Sequence, residues 1–467
     1  MSLSSFLAAA DPIDASKLDL TTVLILAGKA VAIFVILLVS VMFYVWFMRK
    51  VIADMQNRVG PASAGPFGLL QTLADGTKLF FKEQSIPDSA DKSMFRLAPY
   101  FAMVPAFLAF AIIPIGGTVV IAGHRTNLQL IEVPMGILWL LMMSGLGLYG
   151  ILLAGWSSGS KYPLLGAVRA SAQLLSYEAT LGLAVIGAVI QSGSLSTRVI
   201  VDSQSQGTWS LSNIGDWPLF NWFIIPAFIS FILFLFSAIA ETNHPPFDLV
   251  EAEQELVGGF HTEYTGIRFA IFFLAEFMNL ITMSAVAVTL FLGGPSGPSL
   301  GFVSDNHWLN TWIMPVAYFM GKLLILLYGT VWIRASLPRL RYDQLMQVGW
   351  KYMIEASFLW VATMLVLSTS RAYEWDFINV TFGSMNAQQV TAVFSAVAAV
   401  IVSFGIYYTL KACIPNESEE LQGLIPSSHP ELAKDLNIEV VNEVETLRAK
   451  ATQDDRYGSG TTNKVDV

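Results

Sequence analysis

The sequence predicts an all-α polytopic membrane protein with an eight-helix core and an additional, ninth transmembrane helix near the C-terminus. Two observations carry this prediction. The 467 residues are 54% hydrophobic and only 13% charged, about half the charged fraction of a typical soluble domain, and the mean hydropathy is +0.58. The chain also contains nine apolar stretches of the length that spans a bilayer, about 20 residues. Lipid is the environment that accommodates so much apolar surface.

The apolar stretches divide the chain into a membrane core and flanking segments. They lie at residues 22–48, 94–115, 134–155, 171–192, 220–240, 267–293, 311–333, 350–369 and 390–412. The first eight form the predicted core, 22–369, which follows an outside segment, 1–21. The ninth lies in an additional region, 370–412, and an acidic tail that we expect to be partly disordered occupies 413–467.

Lysine and arginine set the predicted orientation, because basic residues collect in the loops on the inside of the membrane. If the first helix ends inside, fourteen basic residues lie inside and only four lie outside. The N-terminus is then outside and the tail inside. The predicted inside loops are 49–93, 156–170, 241–266 and 334–349.

Charge and cysteine content exclude several functions. A net charge of −9 provides no basic surface for nucleic acid. From Lys411 onward, eleven acidic and six basic residues give the tail a net charge of −5. Cys413 is the single cysteine, so this chain cannot build a disulfide, a zinc cage or an iron–sulfur cluster from cysteines. Any redox cofactor therefore belongs to a partner.

The inside loop 241–266 is the most unusual segment. It contains two histidines, His244 and His261, no lysine or arginine, and six carboxylates: Glu241, Asp248, Glu251, Glu253, Glu255 and Glu263. Prolines before and glycines after a short helix would place three acids, at i, i+3 and i+7, on one face. Crowded carboxylates repel and titrate as a group. The interleaved apolar side chains favour proton handling or cation binding over a solvated acidic loop, and the spacing fits no metal-ligand pattern.

Ionisable residues also lie well inside predicted spans. Glu178 is in the fourth, Glu276 in the sixth and Lys322 in the seventh. Ionisable groups in the membrane are costly and commonly mark an ion or proton path. The alternative is a structural ion pair between Lys322 and one of the two glutamates.

The first inside loop contains an amphipathic helical segment at 69–82. Its leucines and Phe80 share one face, and Asp75, Lys78 and Lys82 point elsewhere. Such a helix anchors a domain at the membrane surface or forms the wall of a site for an amphipathic ligand. The two roles are compatible.

Four stretches of the sequence together resemble the motifs of a known protein family. They are RVGPASAGPFGLLQTLADGTKLFFKE (58–83), GWSSGSKYPLLGAVRASAQLLSYE (155–178), AETNHPPFDLVEAEQELVGGFHTEYTGIRFAIFFLAEF (240–277) and WIRASLPRLRYDQLMQVGWK (332–351). With these motifs, the chain resembles the H-subunit family (mitochondrial subunit 1) of the proton-pumping NADH:quinone oxidoreductase, respiratory complex I. The resemblance covers the inside loops and, in number and spacing, the spans from about 22 to 369.

The resemblance implies both a role and a set of site residues. The family forms much of the quinone-access chamber, with quinone as substrate, and flavin and iron–sulfur clusters sit on partner subunits. Residues implied to line or neighbour the chamber are Arg58, Asp75, Lys78, Phe247, Asp248, Glu251 and Phe260. Residues implied to couple quinone reduction to proton translocation are Glu178, Glu241, Glu251, Glu253, Glu255, Glu263, Glu276 and Lys322. No residue performs covalent catalysis, and no metal is bound.

The implied partners are the peripheral subunits at the quinone site, the small membrane-arm subunits beside the chain and the lipid bilayer. The implied location is a bacterial plasma membrane. Three residues depart from the family pattern: Ala62 stands where asparagine is usual, His244 where arginine is usual, and Met48 where glutamate usually precedes the Arg-Lys at the end of the first helix. Two alternatives remain open, namely the equivalent membrane subunit of an energy-converting hydrogenase and a stand-alone cation or proton transporter.

Overall fold

Helices account for most of the chain in the computed structural model, which describes residues 11–12, 20–205, 221–248, 257–298 and 308–372. All of these residues belong to one compact unit. The helices, in chain order, are α1 (Leu20–Met55), α2 (Gln71–Phe81), α3 (Lys92–Phe110), α4 (Gly136–Ser157), α5 (Lys161–Ser192), α6 (Thr197–Ser205), α7 (Phe228–Glu241), α8 (Gly266–Phe291), α9 (Met314–Ser336), α10 (Tyr342–Gln347) and α11 (Ile354–Ala372).

The prediction of an all-α polytopic membrane protein is confirmed. Within the described ranges, six helical segments are long and apolar enough to cross a membrane: α1, α3, α4, α5, α8 and Thr311–Ser336, which includes α9. The shorter apolar helix α7 and helix α11 fall at the fifth and eighth predicted spans. The predicted ninth span and the acidic tail lie outside the described residues.

Several helices extend beyond the apolar stretches that predict them. Helix α1 continues to Met55, and α5 begins at Lys161, ten residues before the predicted span. Most of the predicted loop 156–170 is therefore helical. Hydropathy detects the part of a helix that lies in lipid, whereas a helix with basic residues at its end continues into the polar region. The predicted loop 334–349 similarly contains α10 and the start of a π-helical turn, Val348–Met353.

A small sheet interrupts the helical pattern between α3 and α4. Strands β2 (Thr118–Ile121) and β3 (His124–Asn127) form an antiparallel hairpin, and β1 (Asp11–Pro12) pairs with β3 in parallel. The hairpin loop is Ala122–Gly123, where both residues have positive φ, as a two-residue turn of type I′ requires. Hydropathy does not predict strands this short.

Small residues allow helices α3, α4 and α5 to pack closely. A Cβ on Gly150 of α4 would lie 2.6 Å from the backbone nitrogen of Ala102 in α3. A Cβ on Gly155 would lie 2.5 Å from the carbonyl oxygen of Pro163, near the start of α5. Membrane helices use such glycines to bring backbones together, because lipid provides no hydrophobic drive for larger side chains to associate.

The segment between α7 and α8 is held against α5. Gln173 of α5 donates two hydrogen bonds of 2.8 Å through Nε2, to the carbonyl oxygens of Ala240 and Phe247. Further along, a Cβ on Gly166 would lie 2.8 Å from the Cα atom of Gly259, so α5 and the 3₁₀ turn Gly259–His261 touch through backbone atoms. These contacts hold the described ends of the acidic loop against α5.

Candidate functional site

A cavity of about 760 Å³, part of it open to solvent, lies among α4, α5, α7, α8 and the turn Gly259–His261. Three helices each contribute one carboxylate to its wall: Glu178 comes from α5, Glu241 from the end of α7, and Glu276 from α8. Other polar residues on the wall are Ser144, Asn243, His261 and Asn279. The structure thus brings together three carboxylates that the sequence places up to about 100 residues apart.

Glu178 and Glu241 meet at one hydroxyl group. Ser144 Oγ of α4 donates a hydrogen bond of 3.4 Å to Glu178 Oε1, and the same hydroxyl interacts with Glu241. Atom Oε2 of Glu241 is shielded from solvent and has no hydrogen-bond partner within the described part of the chain. A Cβ on Gly145 would lie 3.1 Å from Glu178 Oε1, so the neighbouring glycine makes room for this carboxyl group. The two acids form a pair joined by a serine, a residue that sequence reasoning missed.

Glu276 is paired with a histidine. His244 Nδ1 lies 3.1 Å from Glu276 Oε1, and the histidine side chain is only 3% exposed. The imidazole packs edge-on against Phe277, with ring centroids 5.3 Å apart. This contact joins the segment after α7 to the first half of α8.

Charged groups also lie near the His244–Glu276 pair. Asp248 lies 3.5 Å from the guanidinium of Arg339, measured between Oδ1 and Nη2. Asp248 and Arg334, at the end of α9, both act electrostatically on Glu276, with opposite signs. The two arginines come from the fourth family motif, and only the tertiary structure shows which acids they face.

Two aromatic rings, those of Phe260 and Phe272, join aliphatic side chains in the apolar part of the cavity wall. They pack edge-on at 5.2 Å, and outside the wall Tyr264 stacks face to face on Phe95 at 4.0 Å. Burial lowers the pKa of His261 to about 4, and this residue is therefore neutral near pH 7. The wall thus combines flat apolar surfaces with a neutral imidazole, which suits an uncharged aromatic ligand.

The remaining predicted chamber residues lie in two places, one beside α5 and the other at the end of α1 and on α2. Phe247 is buried against the ring of Tyr177, with centroids 5.9 Å apart, next to Asp248. Asp75 on α2 accepts a hydrogen bond of 2.7 Å from Arg49 of α1. Arg58 binds the side chain of Gln56 at 2.7 Å, and Lys78 is exposed on α2. The cavity wall contains none of the five predicted residues described in this paragraph, namely Arg58, Asp75, Lys78, Phe247 and Asp248.

Helix α2 has no buried residue in the described structure. Leu73 and Phe80 are 48% and 68% exposed, and Phe81, next to Phe80, is 91% exposed. The apolar face that the sequence predicts is thus open, as an interfacial helix or the wall of a larger site requires. Glu263 is half-buried beside the turn Gly259–His261, and Glu251, Glu253 and Glu255 lie outside the described residues.

Lys322 occupies a different environment. Its ammonium group donates hydrogen bonds to three backbone carbonyl oxygens just after α8: Leu292 at 2.6 Å, Gly294 at 2.9 Å and Ser296 at 2.6 Å. The ammonium also lies 4.1 Å from the ring centroid of Trp222. In the parts of the chain that the structure describes, no carboxylate lies within ion-pair distance of it. Lys322 therefore does not form the ion pair with Glu178 or Glu276 that was an alternative in the sequence analysis.

Sequence reasoning missed Ser144 and Gln173, although a polar side chain inside an apolar span is a signal that could have pointed to them. Ser144 and Gln173 both lie in transmembrane helices, where a polar group needs a partner. Sequence alone does not show that partner, because Ser144 contacts a carboxylate 34 residues away and Gln173 a carbonyl 74 residues away.

Comparisons with known proteins agree on the family. The sequence model of the NADH dehydrogenase family matches residues 28–365. The chain is similar to the NADH-quinone oxidoreductase H subunit of Frankia alni, with 50% identity over 74% of this chain and 73% of the relative. The same subunit of Frankia casuarinae is 51% identical over 74% and 72% of the two chains, and that of Streptomyces avermitilis 44% over 75% of each. The chain therefore belongs to the NADH dehydrogenase family.

Proposed function

We propose that the chain is the membrane subunit of a proton-translocating NADH:quinone oxidoreductase that forms the membrane wall of the quinone-access chamber and holds the first carboxylates of the proton path. The observation that carries this proposal is the convergence of Glu178, Glu241 and Glu276 on one cavity within an apolar helical bundle. The names of the relatives support the reaction, since each is the H subunit of an NADH-quinone oxidoreductase.

Quinone is the proposed substrate, and the aromatic wall suits its flat, uncharged ring. Phe247, Asp248 and Phe260 would border the chamber on the side of α5, and Arg58, Asp75 and Lys78 would border its entrance near α2. Glu251 would complete the chamber from the acidic loop. Reducing a quinone to a quinol takes two electrons and two protons. The ring carries negative charge when electrons arrive before protons, so nearby carboxylates would experience a change of charge during the reaction.

The proposed proton path begins at the acidic loop and continues along the cavity. Protons would pass between Glu276, Glu241 and Glu178 by way of Ser144 and of water, for which the cavity has room. Glu251, Glu253, Glu255 and Glu263 would supply the path from the loop. This chain contributes protonation and conformational changes, without covalent chemistry.

Lys322 is proposed to act as a fixed charge at the end of α8. An ammonium group has three N–H donors, and here each has a carbonyl acceptor. Releasing a proton would leave a lone pair facing one of those oxygens. The carboxylates rather than this lysine are therefore the proposed proton carriers.

The remaining components are assigned to partners. One cysteine cannot hold an iron–sulfur cluster, so the clusters and the flavin that takes electrons from NADH are proposed to sit on peripheral subunits. Those subunits would dock at the quinone site, small membrane-arm subunits would dock beside the bundle, and the complex would reside in a bacterial plasma membrane. The names of the relatives favour this assignment over a hydrogenase component or a stand-alone transporter.

The test uses the assembled complex in membrane vesicles. Glu276→Gln removes the ionisable carboxylate and keeps the side-chain shape, so we expect proton pumping and NADH:quinone turnover to fall at least tenfold. NADH oxidation with an artificial acceptor, which bypasses the quinone site, should stay normal and report the amount of assembled complex.

Glu355→Gln provides the matched control, because Glu355 is exposed on α11 and does not line the cavity. It should behave like the unmodified complex in all three measurements. Normal pumping and normal quinone turnover in Glu276→Gln would contradict the proposed function.

A further inference from the structure

Two side-chain amides line the cavity close to its carboxylates. Asn279 follows Glu276 by three residues on α8, which is about 4.5 Å along the helix axis, and both residues line the cavity. Asn243 follows Glu241 by two residues, just after α7. Glu276 and Glu241 therefore each have an uncharged polar side chain nearby on the wall.

Neither amide has a hydrogen-bond partner among the residues that the structure describes. Oxygen Oδ1 of Asn243 is shielded from solvent, whereas Asn279 is partly exposed on the cavity wall. An amide has two N–H donors and a carbonyl oxygen, and polar groups inside a membrane protein need partners. Water in the cavity is a partner that the amide of Asn279 can reach.

The carboxylates of the cavity fall into two groups. Ser144 joins Glu178 to Glu241. Glu276 contacts His244 instead. Within the described ranges, no side chain bonds to both Glu241 and Glu276. Proton transfer needs a hydrogen bond, either direct or through water, so a proton that moves between the two groups needs a carrier in the cavity.

We propose that Asn279 binds an ordered water that passes protons between Glu276 and the pair Glu178–Glu241. This inference rests on the proposed function, because it names the residue that positions water on the same proton path. The protonated carboxyl group of Glu276 gives its proton to the water oxygen, and the water gives one of its own protons onward to Glu241. The water ends with two protons, as it began, and rotation beside the amide restores its orientation. Asn279 itself gains and loses no proton.

An amide suits this task because it orients water through hydrogen bonds and does not take the proton itself. Asn279 is the uncharged polar residue that α8 contributes to the described wall of the cavity. The next polar side chain on α8, Thr282, is used differently. Its hydroxyl group donates to the carbonyl oxygen of Met278 at 2.8 Å, and it does not line the cavity.

The test compares Asn279→Leu and Asn279→Gln in the assembled complex in membrane vesicles. Leucine has a similar size and no hydrogen-bonding group, whereas glutamine keeps the amide. We expect Asn279→Leu to lower proton pumping and NADH:quinone turnover about tenfold, because the path loses a positioned proton carrier. The ratio of turnover in H₂O to turnover in D₂O should also rise, since proton transfer then limits the rate. Asn279→Gln should restore most of both rates and the original isotope ratio.

Thr282→Val is the matched control, because it removes a hydroxyl group from the same helix outside the cavity. It should change neither the rates nor the isotope ratio. NADH oxidation with an artificial acceptor reports the amount of assembled complex in every variant. Should Asn279→Leu fail to assemble, Asn279→Val gives the same answer with a smaller side chain that also lacks the amide.

The outcomes separate this inference from the proposed function. If Glu276→Gln abolishes pumping while Asn279→Leu keeps the original rates and isotope ratio, the proposed function stands and the role of Asn279 is overturned. Equal losses in Asn279→Leu and Asn279→Gln would mean that the shape of the residue matters and its amide does not, which also overturns the inference. Loss in the leucine variant with recovery in the glutamine variant supports it.

Discussion

The two ends of α8 show two ways of placing ionisable groups in a membrane. At the cavity near its beginning, Glu241 has a carboxylate oxygen without a hydrogen-bond partner in the described structure, and Glu276 is in contact with His244. At its other end, Lys322 uses all three N–H donors on backbone carbonyls. We propose that the carboxylates at the cavity exchange protons and that the ammonium group of Lys322 keeps its charge. Substitutions at the cavity should therefore alter proton transfer, whereas substitutions at Lys322 should alter stability and assembly.

The largest effect is expected from Lys322→Met. It leaves three carbonyl oxygens without their donor, and an unsatisfied buried polar group costs about 1–3 kcal/mol. We expect the amount of assembled complex and its thermal stability to fall sharply, as measured by native electrophoresis and thermal inactivation. The complex that does assemble should keep the original dependence of turnover on pH.

Lys351→Met is the matched control, because Lys351 is exposed in the π-helical turn before α11. It should leave assembly unchanged. If Lys322→Met assembled fully and its turnover depended less on pH, Lys322 would take part in proton transfer as the cavity carboxylates do. That result would contradict the contrast between the two ends of α8.

An intermediate effect is expected from Gly166→Ala. The added Cβ would lie 2.8 Å from Gly259 Cα and 3.0 Å from Phe260 N, and backbone atoms cannot move aside as a flexible side chain can. Overpacking of this kind costs about 1–3 kcal/mol. The turn Gly259–His261 should shift and lower NADH:quinone turnover about tenfold, with the assembled amount less affected.

Gly182→Ala tests the same substitution elsewhere on α5, where the nearest atom to a Cβ is 3.9 Å away. Its turnover should match that of the unmodified complex. Equal losses in the two glycine variants would mean that α5 tolerates no added methyl group, and the placement of the turn would not be the cause.

The smallest effect is expected from His261→Gln, measured as stability against pH. Burial lowers the pKa of His261 from 6.5 to about 4. As the pH falls from about 6.5 to 4, the unfolded chain takes up a proton that the folded chain does not, so this residue makes the folded state less stable over that range. The variant should lose less stability between pH 6.5 and 4 than the unmodified complex.

His124→Gln is the control for this comparison, since His124 lies on the hairpin away from the cavity. Identical acid sensitivity in His261→Gln and the unmodified complex would contradict the buried, neutral state of this imidazole.

Sequence reasoning reached the class of the fold and the identity of the ionisable residues, because both depend on local composition. Apolar stretches of about 20 residues predict membrane helices whatever their neighbours are. Glu178 and Glu276 stand out for the same reason, as carboxylates inside such stretches. Ser144 and Gln173 escaped notice because a single serine or glutamine in a span becomes informative only when its partner is known.

The sequence by itself determined an all-α membrane protein of the NADH dehydrogenase family, with six carboxylates in one loop and ionisable residues inside several spans. Only the tertiary structure decided how those charges are grouped. In the structure, Glu276 contacts His244, and Ser144 joins Glu178 to Glu241. The ammonium group of Lys322 binds backbone carbonyl oxygens just after α8. The physical reason is that the protonation and partner of an intramembrane charge depend on groups within a few ångströms, and those groups come from other helices.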